Sequence, residues 1–203
     1  MLKGAFPFFS RSRNPLGLVF IVVVSFVGAL LLPTGLISNP FFPQHEQVVV
    51  DLVPLLACLG WSFMAYSPMR EMEGSVGGST MVRLRLTWWV LAGVASVFGG
   101  MLGYLLRDAS PWLLIASHAR NTLIAMALAT LFCLILPQAA SWIPLALYAG
   151  VCWIAGTIDE LGTPRFWALP CYLINSWVAA LITLTLVIPT VALYCRYEKS
   201  SHK

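Results

Sequence analysis

The segment from Pro111 to Leu136 constrains this chain more than any other: it is 26 residues of mostly apolar sequence with a basic residue inside it. As a helix it would extend about 39 Å, against roughly 30 Å of membrane hydrocarbon. Ser110 is placed to cap the helix, Pro111 suits its first position, and Pro137 stops it. The interruption is Ser117-His118-Ala119-Arg120-Asn121. Charge at membrane depth is costly, so an ionisable residue there marks a candidate functional site. Two roles stay open for Arg120. The surplus length lets the helix slide outward until the guanidinium snorkels or joins a structural ion pair; otherwise it contacts a substrate.

Composition narrows the class. Soluble domains carry about 25% charged residues, whereas this chain has 10%, with 59% hydrophobic residues and a mean hydropathy of +0.84. The longest weakly hydrophobic stretch is residues 67–86, which leaves no room for a soluble catalytic domain. The expected fold class is all-α, a single polytopic membrane domain over residues 1–203. The net charge of +4 is spread between apolar runs and carries no nucleic-acid signature. Cys58, Cys133, Cys152, Cys171 and Cys195 stand singly at apolar positions, without Cys-x-x-Cys spacing or nearby metal ligands, and read as small hydrophobes. No metal or cofactor is expected.

Six spans are expected, at about 15–37, 48–66, 86–106, 112–136, 142–157 and 171–195. A short lead-in precedes the first, with Lys3, Arg11 and Arg13 among Phe6, Phe8 and Phe9. The first span is too long for a signal-peptide core of about 7–15 residues and is read as uncleaved. Pro54 is expected to kink the second span. Gly93, Ser96, Gly100 and Gly103 share a face of the third, and Gly99 with Gly103 adds a small-xxx-small pair, so close helix packing is expected there. The fifth span is short. An even number of spans puts both termini on one side. With the termini inside, Lys3, Arg11, Arg13, Arg70, Arg83, Arg85, Arg196, Lys199 and Lys203 lie inside and only Arg107 and Arg165 outside. That asymmetry predicts cytoplasmic termini and a multi-pass protein of the cell membrane, in a bacterium the inner or plasma membrane.

Two constellations could carry function. The inner loop, residues 67–86, holds Glu71 and Glu73, a glycine-rich bend, then Arg83 and Arg85. Its glycines lack the lysine and hydroxyl of a phosphate-binding loop. It is either a docking element for a soluble partner or a solvated connection. The second constellation is Asp51 with Arg120, at matching depth in the outer halves of their spans. Ser117, Asn121 and Ile124 form one face of the fourth span with Arg120 at its edge. A structural clamp is favoured over a proton relay. His118 points elsewhere and is expected to be an interfacial histidine. No catalytic grouping is recognised: there is no Ser–His–Asp set on one face, no His-Glu-x-x-His and no paired intramembrane carboxylates.

Glu71-Met72-Glu73, then Arg83-Leu84-Arg85, then Arg120-Asn121 within an apolar span, then Trp142-Ile143-Pro144 resembles small six-span actinobacterial membrane proteins associated with ABC transporters. The resemblance covers about two-thirds of the chain, and the broader ABC-2-type permease plan is also similar. It implies a permease subunit that pairs with itself or a second permease, contacts membrane lipid, and couples to a separate ATP-binding-cassette ATPase through Glu71 and Glu73. The lead-in and the outer loop are shorter than in that plan. A non-transporting accessory or immunity protein is the alternative.

Overall fold

The computed structural model describes residues 14–33, 37–38, 46–47, 49–65, 78–107, 111–155, 165–172 and 176–196. The fold is helical. Helix α1 spans Leu16–Leu31, α2 Val53–Ala57, α3 Leu59–Met64, α4 Gly78–Arg107, α5 Trp112–Ile135, α6 Ile143–Ala155 and α7 Trp177–Arg196. Single 3-10 turns precede α2 (Val49–Leu52) and α7 (Leu169–Cys171). The only extended pairing among the described residues is a two-residue antiparallel ladder, Ile37 opposite Gln47 and Ser38 opposite Glu46. Glu71, Glu73, Ser110, the lead-in and the basic tail lie outside the described residues.

Helices α4, α5 and α7 are long and apolar enough to cross a membrane. Burial says which way their faces point. On α1 the buried residues are Gly17, Ile21, Ser25 and Ala29, while Val19, Phe20, Val23 and Val27 are exposed. On α4, Ser96, Gly99, Gly100 and Gly103 face inward and Val90, Val94 and Phe98 outward. A soluble helix buries its large apolar residues and exposes polar ones. Here large apolar side chains form the rim, the pattern of helices packed in lipid, while the inside combines small and polar residues with large ones such as Ile21, Trp88 and Trp89. The chain has the character of a membrane protein.

The glycine face of α4 explains the most extensive helix contact, that with α1. A Cβ added at Gly99 would stand 2.5 Å from the Val22 carbonyl oxygen, and one at Gly103 2.6 Å from that of Phe26. Only hydrogen lets the backbones approach so closely. Because residues 99 and 103 meet residues 22 and 26 in the same order, α1 and α4 run parallel. Gly93 departs from the sequence expectation: nothing lies within 4 Å of its added Cβ, so it takes no part in this seam.

Several boundaries differ from the expected spans. The second is not one kinked helix but a 3-10 turn followed by α2 and α3, with the break at Cys58. Pro54 lies in the first turn of α2, where its missing N–H costs nothing, rather than at the bend. Helix α4 begins at Gly78, so Arg83 and Arg85 belong to a helix and not to a loop. Pro111 caps α5 instead of occupying its first turn. Helix α7 starts at Trp177, leaving Cys171 on a 3-10 turn and Tyr172 extended.

Candidate functional site

Helix α5 carries the polar residues, and its 3.6-residue period sorts them onto two faces. Ser117 and Asn121 are four apart, with Arg120 beside them; His118 and Thr122 are also four apart and point elsewhere.

The first face meets irregular backbone. Ser117 Oγ donates to Asp51 Oδ1 at 2.8 Å. Asn121 Nδ2 donates to the Asp51 carbonyl and to the Pro170 carbonyl, each at 3.0 Å. Its Oδ1 accepts from Arg120 Nε at 3.1 Å and Nη2 at 3.0 Å. Arg120 Nη2 also donates to the carbonyls of Pro170 at 3.3 Å and Tyr172 at 2.6 Å. The network fixes the amide orientation of Asn121, since its neighbours are carbonyls on one side and a guanidinium on the other. Asn121 is wholly buried and Arg120 is 8% exposed.

The cause lies in the partners. Asp51, Pro170 and Tyr172 sit on or beside 3-10 turns, whose carbonyls are not all used by a regular helix. A buried carbonyl without a donor is costly, more so where no water can replace it. Helix α5 satisfies its own backbone and can spend side-chain donors on these acceptors. Arg120 is therefore not snorkelling in this structure; its fork is turned inward. Asp51 and Arg120 share the cluster as expected and attract each other across it, but the bonds described above run through Ser117 and Asn121. The acceptors at Pro170 and Tyr172 were not identified from sequence, because a backbone carbonyl has no residue-type signature.

The second face is neutral. Ser96 Oγ on α4 lies 3.0 Å from Ser25 Oγ on α1, 3.1 Å from Thr122 Oγ1 and 3.4 Å from His118 Nε2. Tyr104 Oη lies 3.4 Å from His118 Nδ1, and the two rings meet edge to face at 79° with centroids 5.8 Å apart. Gly100 makes room for the imidazole, since an added Cβ would come within 2.7 Å of it. His118 is 2% exposed. The expected interfacial histidine is instead an interior one, because α4 brings the hydroxyls of Ser96 and Tyr104 to it. Further along, Trp89 Nε1 donates to Thr130 Oγ1 at 3.1 Å. The contacts Tyr104–His118, Ser96–Thr122 and Trp89–Thr130 descend one helix as they climb the other, so α4 and α5 are antiparallel.

Of the remaining sequence candidates, Arg83 is exposed on the first turns of α4 and Arg85 is half-buried near Cys195 at the end of α7. Glu71 and Glu73 lie outside the described residues. Among the described residues, no three His, Cys, Asp or Glu side chains converge to hold a metal ion. No family model, curated protein or solved structure matches the chain.

Proposed function

We propose that this chain is the membrane-spanning permease subunit of an ABC-type exporter. It crosses the membrane six times with both termini in the cytoplasm and works with a separate ATPase to move a hydrophobic or amphipathic solute. The observation that carries this reading is the length of α4. Its 30 residues extend about 45 Å, well beyond roughly 30 Å of hydrocarbon. Its first turns anchor inward through Met81 and Leu84 and leave Arg83 exposed. Such a rigid extension suits a coupling element that presents the preceding Glu71 and Glu73 to a partner. The alternation of parallel and antiparallel neighbours among α1, α4 and α5 fits the six-span order, and the resemblance in residues 71–85 and 120–144 points the same way.

A second reading, a non-transporting accessory or immunity protein, draws on the inward turn of Arg120 and Asn121. Side chains occupied by backbone carbonyls suit a structural role better than a substrate path. One experiment separates the two. Glu71→Lys/Glu73→Lys should express and remain monodisperse, since neither residue is in a span, but should no longer pull down the ATPase produced with it. Like charges brought together at an interface can cost several kcal/mol. Unchanged pull-down would remove the loop from the mechanism, and no ATPase partner at all would favour the accessory role. Reporter fusions at Gly77 and Lys203 should read as cytoplasmic and one at Gly162 as external; an external Gly77 would overturn the topology.

A further inference from the structure

Cys152 and Cys171 look unrelated in sequence, but the fold brings them together. Cys152 lies on the buried side of α6 in a small apolar cluster with Leu52 and Ala168, and Cys171 packs against that cluster. Both are free thiols; Cys152 is fully buried and Cys171 is half-buried.

The surroundings hold both sulfurs in place. Tyr148, one turn before Cys152, packs against the same cluster and donates its hydroxyl to the Trp167 carbonyl at 2.8 Å. Arg120 and Asn121 hold the Pro170 carbonyl before Cys171, and Arg120 holds the Tyr172 carbonyl after it. The guanidinium also lies within electrostatic reach of the Cys171 sulfur. Cys171 is thus fixed on its backbone and carries the more accessible of the two thiols, the one an oxidant reaches first.

We propose that Cys152 and Cys171 form a reversible dithiol–disulfide pair that locks residues 165–172 onto α6. The oxidant is a disulfide of the surrounding compartment, small or protein-borne. The Cys171 thiolate attacks one sulfur of that disulfide, forming a mixed disulfide and releasing one oxidant thiol. The Cys152 thiolate then attacks the Cys171 sulfur and releases the second. Two protein thiols lose two protons and two electrons, and the oxidant disulfide becomes two thiols. The chemistry is independent of the transport role. Under the topology proposed above, both cysteines lie toward the outer side, where disulfides persist.

The test treats the full-length protein in detergent with 4,4′-dithiodipyridine, a small apolar disulfide, and then digests it with trypsin. Cleavage after Arg120, Arg165 and Arg196 separates residues 121–165, which contain Cys133 and Cys152, from residues 166–196, which contain Cys171 and Cys195. The expected product is a reducible link between these peptides, with fragmentation placing it at Cys152 and Cys171. It should survive Cys133→Ala and Cys195→Ala and vanish in Cys152→Ala and Cys171→Ala. A wild-type protein without the link, or with the link placed at another cysteine, overturns the proposal. Both results are read from wild type alone, so a poorly folding variant does not obscure them.

Discussion

The two polar faces of α5 solve the same problem in different ways. Toward α1 and α4, regular helices have used their backbone groups internally, and the cluster there is made of hydroxyls and one imidazole. Each hydroxyl both donates and accepts, so Ser25, Ser96, Thr122 and Tyr104 can reorient around His118. Toward the 3-10 turns, backbone carbonyls are left over, and the partners are donors only: a guanidinium and an amide NH2. A network of interchangeable hydroxyls tolerates the loss of one member. A one-directional network does not. The difference teaches that local backbone regularity, more than polarity, decides where this fold depends on a particular side chain.

The largest expected effect follows from removing the guanidinium. Arg120→Met takes the guanidinium donor from Asn121 Oδ1 and from the Tyr172 carbonyl, while the Pro170 carbonyl keeps Asn121 Nδ2. Each buried orphan costs roughly 1–3 kcal/mol, although hydrogen bonds in membranes often contribute less. A loss of about 3 kcal/mol in reversible detergent unfolding is expected, far above that of any single hydroxyl. Arg120→Lys should recover only part, because one ammonium cannot reproduce a fork spanning two carbonyls and an amide. Equal stability of Arg120→Met and wild type would erase the contrast between the faces.

A smaller effect sharpens it. Asp51→Ala and Ser117→Ala remove opposite ends of the 2.8 Å bond, so a double-mutant cycle should show a coupling of about 1 kcal/mol. Strict additivity would mean that the carboxylate is held by Arg120 and not by Ser117. The smallest effect belongs to the neutral face. Ser25→Ala leaves Ser96 with Thr122 and His118, and a cost of roughly 0.5 kcal/mol is expected. A loss equal to that of Arg120→Met would show that the hydroxyl cluster is as unforgiving as the other.

Much of this was legible in the sequence, and the failures share a cause. Apolar length located the helices, and the helical period placed Ser117 and Asn121 on one face with Arg120 beside it, which is how they sit. The spacing of Gly99 and Gly103 foretold a close helix contact, though not that its partner is α1. Hydropathy does not register a backbone break, so the division at Cys58, the 3-10 turn at Leu169 and the late start of α7 went unseen. Arg120's true acceptors were invisible for the same reason. His118 was misplaced because its partners, Ser96 and Tyr104, come from another helix, and the space for its ring is made by an absent side chain at Gly100. The meeting of Cys152 with Cys171 was equally non-local.

One face of α5 holds the irregular segments around Asp51 and Pro170 in place while the other serves the regular bundle. Hydrogen–deuterium exchange on wild type and Arg120→Met in the same detergent tests it most directly. Faster exchange is expected only in peptides covering residues 49–57 and 165–172, with α1 and α4 unchanged. Exchange that is unaltered in those segments, or that rises uniformly across α1, α4 and α5, would contradict it.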